Sequence, residues 1–417
     1  MFCNLKASIT MEKRSRIGGV AEDQKALNTE IRVSSQFHIM DLPTADLHEI
    51  LFRLPINSIM NLKHVCRELY KLICNPDFAL NYTNNSPLST VLIPTITRSS
   101  AIWRHYEYFD LLQVSDNYDC IRTTFNPKIP SRPTNVIYGF FVVGTSNGIL
   151  CLSVHECRTE SVYVCNPIMG ECMPLPRRKI KRGQLDAEYG FGYCRSTNKY
   201  KVLRIFCKLG SEYAEQEGHI FTIGIDHKWR VLANQTIPFC FTIPFCFSYK
   251  FIALNGSFHW IVKNDDSAWI STFDLGEEKV GQLSHPRGLV LDPYLKKLES
   301  INNQLYLLDS SSSSEIVLWE MKEYGVAESW TKDIIVDISC TSVLRRRRLV
   351  PVTILKNGDV LFSSPLGENL ISYNPIQRRL TQIPGFCYGI FAYAPSFLSL
   401  KEAVMGGHQS TINMLSK

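Results

Sequence analysis

Side chains able to do acid–base chemistry are scattered along this chain. His259 stands beside Trp260 in an apolar run, and Asp265-Asp266 follows in a polar stretch. A catalytic carboxylate pair needs an enclosed pocket and a raised pKa on one member. Two acids in a polar turn are better explained as solvated turn residues. His155 and His219 are isolated. No H-E-x-x-H or P-loop string occurs, and Gly190–Gly192 reads as part of a strand rather than a phosphate loop. The fourteen cysteines include no C-x-x-C pair, so the spacing for zinc or dithiol redox chemistry is missing. They are expected to be buried, reduced thiols. No cofactor, no metal and no catalytic residue is implied.

Charge and composition point the same way. Net charge is +6 and 45% of residues are hydrophobic, which describes an ordinary globular chain with a sizeable core. That charge is too mild to imply nucleic acid. Two basic clusters, Arg177–Arg182 (RRKIKR) and Arg345–Arg348 (RRRR), fall in expected loops, where they serve either as import tags or acidic-partner patches or are simply solvated. Ser310–Ser314 reads as a flexible serine loop. Residues 1–38 mix charges without an apolar core, and are expected to be a flexible leader rather than a secretion signal. The apolar duplication TIPFCFTIPFCF (Thr236–Phe247) is too short and too proline-interrupted to span a membrane.

Two elements must then position whatever function exists. The first is helical. Leu42-Pro43 opens residues 41–78, and Leu47, Ile50, Leu51 and Leu54 follow at i, i+3, i+4 and i+7, one helical face. Pro55 ends that helix, because a residue before proline avoids the helical region. A second helix is expected to start near Ser58, carry Leu62, Val65, Cys66, Leu69, Leu72 and Ile73 on one face, and stop at Asn75-Pro76. Two helices this short need a partner surface, internal or external.

From about residue 88 the period changes to short apolar strands between turns. Asn147-Gly148, Asn255-Gly256, Asn302-Asn303 and Asn357-Gly358 each precede an apolar strand, as tight hairpins do. A second unit, a strand ending in Asn or Asp followed by a polar turn, recurs at Asn166, Asp226, Asp274 and Asn374, which lie 60, 48 and 100 residues apart. Further units near Asp110 and Glu320 divide the chain evenly. A repeat of about 50 residues with four strands per unit predicts a β-propeller, and six units fit 88–400. The alternative is a pair of β-sandwiches. The double glycine of kelch repeats is absent from this region.

The helical stretch resembles the F-box, matched at Leu42, Pro43, Ile50, Leu51, Leu54, Pro55, Ser58, Leu62, Val65, Cys66, Leu72, Ile73, Pro76 and Phe78. Leu69 stands where that family usually has tryptophan, and Ala45-Asp46 replaces an acid-then-apolar pair. The strings GTSNGILCLS (144–153), YGFGYCRSTNKYKVLRI (189–205), ALNGSFHWIV (253–262) and IVLWEMKEYGVAESWTK (316–332) resemble, in order, the F-box-associated domain of plant F-box proteins. The resemblance implies an α+β multidomain chain. A small helical F-box at 39–83 is followed by an all-β, six-bladed propeller-like domain at 84–400, and 401–417 form a tail. It implies a non-catalytic substrate receptor of an SKP1–cullin–F-box ubiquitin ligase. A SKP1-like adaptor would be bound through Leu42, Pro43, Ile50, Leu51, Leu54, Pro55, Ser58, Leu62, Val65, Cys66 and Leu69, cullin would be reached through that adaptor, and the β-domain would hold an unidentified target protein. Neither nucleic acid nor membrane is an expected partner, and the expected location is cytoplasm or nucleus, without secretion. The alternatives are a propeller scaffold or inhibitor with a weak F-box, and a propeller enzyme with a central acid cluster.

Overall fold

The computed structural model describes residues 39–86, 89–99, 104–125, 140–155, 159–180, 187–209, 214–232, 237–238, 251–263, 267–293, 295–339, 349–363, 369–384 and 390–405. Asp265-Asp266, Lys181-Arg182, Arg345–Arg348, the leader and most of the Thr236–Phe247 duplication lie outside them. A short 3-10 turn, Ile39–Asp41, precedes Leu42-Pro43. From Thr44 onward the chain forms one compact unit.

Four helices open this unit: α1 (Thr44–Phe52), α2 (Ile56–Leu62), α3 (Arg67–Ile73) and α4 (Pro76–Asn85). The expected second helix is thus two. It breaks after Leu62, and the extended Cys66 caps α3, its sulfur accepting from the Leu69 amide at 3.4 Å. Pro76 is a start, not a stop. It sits in the first turn of α4, where its missing N–H costs nothing, and the Asn75 side chain accepts from the Asp77 amide at 2.8 Å.

Six antiparallel sheets follow. The first contains β1 (Ser89–Ser99), β2 (Arg104–Val114) and β3 (Cys120–Phe125). The second has β4 (Phe140–Ser146), β5 (Ile149–His155), β6 (Thr159–Asn166), β7 (Glu171–Pro174) and β8 (Arg178–Lys179). The third runs β9 (Glu188–Cys194), β10 (Lys199–Leu209), β11 (Ala214–Thr222) and β12 (Arg230–Val231). The fourth is β13 (Ile252–Leu254), β14 (Ser257–Lys263), β15 (Ala268–Asp274) and β16 (Lys279–Leu283). The fifth is β17 (Lys296–Ile301), β18 (Gln304–Asp309), β19 (Glu315–Met321) and β20 (Trp330–Asp337). The sixth is β21 (Val350–Ile354), β22 (Val360–Ser363), β23 (Asn369–Asn374) and β24 (Arg379–Pro384). The first sheet gains its fourth strand from the far end of the chain: β25 (Phe391–Ala392) pairs Leu92 with Phe391 and Val91 with Ala392. Strands β25, β4, β9, β13, β17 and β21 touch in sequence and close a ring. The fold is a six-bladed propeller, not a sandwich pair.

The turns follow the sequence signals with instructive exceptions. Asn147, Asn255, Asn302 and Asn303 all take positive φ in two-residue turns. Asn357 does not; there the loop is longer and closes through Leu355 N–H to the Asp359 carbonyl at 2.8 Å. The recurring Asn or Asp acts as a turn cap. Asn166 accepts from the Ile168 amide at 3.1 Å, Asp274 from Gly276 and Glu277 at 2.8 and 2.7 Å, and Asn374 from Gln377 at 2.7 Å. Asp110 and Glu320 lie in phase with these but do other work: Asp110 is buried within β2, and Glu320 pairs with Lys322. Gly190 and Gly192 lie in β9, where a Cβ would press within 3.1 Å of Phe251 and 3.0 Å of Phe258 on the next blade. Ser310–Ser314 is an ordered turn, capped by the Ser312 hydroxyl accepting from Ser314 and Glu315 amides at 3.2 and 3.3 Å. Arg178 and Lys179 form β8, zipped onto Thr159 and Glu160, rather than a loop. Cys165 and Cys172 sit directly opposite across β6 and β7 with their sulfurs in contact, so these two thiols are paired neighbours rather than isolated side chains.

After β25 the chain runs on as a strap across the helix-bearing end. Tyr393 donates to the Gly148 carbonyl at 2.8 Å, and Asn166 donates to the Ser396 and Leu398 carbonyls at 3.1 and 2.8 Å. Phe397 is fully buried with its ring edge against Phe78 and Tyr82 of α4. Helix α5 (Leu400–Met405) then buries Leu400 and Val404 in the core between the second and third blades, so the expected tail begins as packed structure. Phe397→Ala should lower stability by about 3–5 kcal/mol, the usual cost of emptying an aromatic core site. Urea denaturation of the full chain, with proteolysis of 44–86 as a second readout, checks it.

Candidate adaptor-docking surface

The helices are seated on the propeller by a polar bridge. The Gln113 side chain, buried at the end of β2, accepts from the Ile56 amide at 2.8 Å and donates to the Tyr82 hydroxyl at 2.9 Å. The Tyr82 hydroxyl in turn donates to the Leu54 carbonyl at 2.9 Å. Gln113 therefore supplies the acceptor that the first turn of α2 lacks, since Pro55 has no capping side chain. Lys63, also buried, reaches the Met169 sulfur in the second blade, and Lys356 of the sixth donates to the Asn84 carbonyl at 3.1 Å. All these contacts fall at one end of the ring, the end carrying the β4–β5, β6–β7 and β21–β22 turns.

Seated this way, the apolar stripe of the sequence divides. Leu47, Leu51, Phe52, Ile56, Ile59, Leu69, Ile73 and Phe78 are buried within the chain itself. Of the residues expected to meet an adaptor, Leu51 and Leu69 are therefore interior, at 0% and 1% exposure. Ile50 and Val65 point outward at 42% and 69%, and Pro43 is exposed. Leu42, Leu54, Pro55, Ser58, Leu62 and Cys66 are half-buried. Tyr70, which sequence periodicity did not single out, is 50% exposed, with the Lys63 ammonium 5.3 Å from its ring centre. Helical spacing marked apolar positions correctly but could not tell which of two apolar faces meets the protein's own core.

Two of the histidines weighed for catalysis, His219 and His259, are buried in the ring. His259 is fully buried in β14, its Nδ1–H donating to the Ile252 carbonyl at 3.1 Å and its Nε2 accepting from Tyr324 at 2.6 Å. Burial lowers its pKa to about 4. His219 is equally buried. Arg178 donates to its Nδ1, which leaves Nε2–H to donate to Glu217. Burial first, then the Arg178 charge, lowers it to about 4. Neither is poised to exchange protons near neutrality. Among the described residues no group of three or more His, Cys, Asp or Glu is placed to hold a metal ion. No described helix is long and apolar enough to cross a membrane.

The helices and the ring now have counterparts among known proteins. Residues 39–81 match the F-box domain, and residues 97–383, well over half the chain, match the F-box associated beta propeller domain. The chain belongs to the F-box-associated β-propeller family. It is similar to the Arabidopsis thaliana F-box protein At3g07870, 27% identical across 80% of this chain and 82% of that one. It also resembles the F-box/kelch-repeat protein At3g23880 of the same plant, 24% identical over 70% of this chain and 78% of that one. The Arabidopsis F-box protein CPR1 is likewise 24% identical, over 70% and 72%. In family terms, then, the four helices are the F-box and its flank, and the ring is the associated domain.

The two neutral histidines make the F-box protein acid-sensitive. In the unfolded chain they take up protons near pH 6.5, but folded they resist until about pH 4. Between these values the unfolded state holds more protons, so stability is complete above about pH 7 and falls as pH drops. Each pH unit costs up to about 1.4 kcal/mol per histidine. Urea midpoints measured from pH 8 to 4 should show this decline, with a shallower slope for His259→Gln.

Proposed function

We propose that this chain is a substrate-recognition subunit of an SKP1–cullin–F-box ubiquitin ligase, acting in the cytoplasm or nucleus. The observation carrying the reading is a helical F-box that keeps Ile50, Val65 and Tyr70 exposed although apolar residues around them are buried. Exposed apolar side chains beside a packed core mark a surface meant for a partner. Pro43, Ile50, Leu54, Pro55, Leu62 and Val65 would touch the SKP1-like adaptor, with Leu42, Ser58 and Cys66 at the margin. Leu51 and Leu69 would act from beneath, by holding the helices in register.

The ring supplies the other half of the task. The F-box caps the end with short turns, which leaves the opposite end open to a target protein. The chain forms no covalent intermediate in this reading. Holding target and ligase together raises the effective concentration of a target lysine at the conjugating enzyme.

Co-purification with a SKP1-like adaptor tests the assignment. Ile50→Asp combined with Val65→Asp should weaken adaptor binding at least about tenfold while the urea midpoint stays unchanged, because both positions are exposed. Leu51→Ala should lose binding and stability together. Adaptor retained by the double aspartate variant would overturn the docking surface. A wild-type chain that retains no adaptor would favour the propeller scaffold.

A further inference from the structure

The string that ties the fifth blade to its family, Leu318–Trp330, is mostly spent on structure. Tyr324 donates to His259 at 2.6 Å, Ser329 to the Glu323 and Val326 carbonyls at 2.8 and 2.7 Å, and Trp330 to the Ser284 carbonyl at 2.9 Å. Trp319 is different. Its indole N–H is shielded from solvent yet has no acceptor, and buried donors rarely go unused. Trp319 lines a cleft of about 330 Å³ where the connection between the fourth and fifth blades crosses β18 to β20.

The cleft has a definite chemistry. A register shift between β19 and β20 at Leu318/Trp319 sets Lys332 directly opposite Trp319, its ammonium 5.2 Å from the ring centre. Bulges of this kind commonly re-aim a side chain beside a site. No carboxylate among the described residues lies within ion-pair distance of Lys332. Arg287, across the cleft, is bound to Glu328, but that pair is 79% and 61% exposed and readily exchanged. Asp309 is already neutralised by Lys296 at 2.9 Å. Glu315 also lines the cleft and opposes a second negative charge. Leu289 and Val317 make the remaining wall apolar, and Val290 beside them is 80% exposed.

We propose that this cleft is a recognition pocket for a single carboxylate side chain next to an apolar residue on an extended segment of the target protein. Lys332 supplies the charge, the Trp319 ring forms the wall beside that ammonium, and Leu289 and Val317 take the apolar neighbour. A volume of about 330 Å³ accommodates a couple of side chains, the low end for ligand sites. The Ser310–Ser314 turn beside it joins β18 to β19 at the end away from the helices, so an adaptor on the F-box leaves the cleft open. The proposal deepens the target-recognition reading and rests on it.

The test follows the indole resonance of Trp319 in the full chain labelled with nitrogen-15 tryptophan, assigned with Trp319→Phe. The probes are the blocked dipeptides acetyl-Leu-Glu-amide, acetyl-Leu-Gln-amide and acetyl-Leu-phosphoserine-amide. The glutamate probe should shift the Trp319 signal saturably. The glutamine probe, and the glutamate probe on Lys332→Gln, should bind about tenfold more weakly. No shift at Trp319, equal binding of glutamine, or unchanged binding by Lys332→Gln overturns the pocket. Tighter binding of phosphoserine overturns the single-carboxylate assignment. Lys332 is exposed, so its replacement leaves folding intact even if Trp319→Phe does not fold. No adaptor is present, so the outcome is independent of whether the F-box docks.

Discussion

The pairing of Val91 with Ala392 and Leu92 with Phe391 joins the first strand of the ring to the last, and every blade's place depends on it. Closing a loop of about 300 residues costs about 5 kcal/mol in chain entropy. The offset comes from the seams between blades, which form only when the ring is shut. The same segment then runs over Gly148 and Asn166 and inserts Phe397 beneath the helices. Ring closure and helix seating are thus one event. Gly148 shows how tight the crossing is: a Cβ there would lie 2.4 Å from Ser396.

Each seam carries a polar contact as well as apolar packing. Thr145 donates to the Ala392 carbonyl at 3.0 Å, Arg204 pairs with Glu160, and Lys201 pairs with Glu278 at 2.8 Å. Tyr324 reaches His259, Tyr373 donates to the Ile335 carbonyl at 2.9 Å, and Tyr118 donates to Asp359. Buried pairs such as Arg204–Glu160 add little net stability over an apolar replacement, but a misplaced blade would strand both charges at a cost of several kcal/mol. The polar contacts therefore set which blade faces which and at what height, and apolar burial supplies the driving force. A rigid ring of this kind holds loops and clefts in place, as recognition requires.

Much of the architecture was legible in the sequence because it is local. Strand period, paired Asn turns and Asx-capped turns are short-range rules, and they placed the six repeats within a few residues. Where local chemistry is ambiguous, the reading slipped. Pro76 stops or starts a helix with equal ease, and only the Asn75 side chain decides. Arg177–Arg182 looked like a solvated run, yet Arg178 is drawn into the wall by His219 and the edge of β6. Cys165 and Cys172, seven residues apart, become neighbours only when β6 and β7 pair.

The sequence by itself determined a helical F-box, a β-rich repeat and the apolar positions of both, since these follow from spacing. Tertiary structure alone decided which of those apolar positions are interior. Leu51 and Ile50 are adjacent and equally apolar, but one packs under the helices and the other faces solvent. It also decided that β25 completes the first blade, that Gln113 caps α2, and that Trp319 and Lys332 meet across a bulge. Each joins residues whose distance along the chain carries no signal, because their contact depends on how whole blades twist and stack.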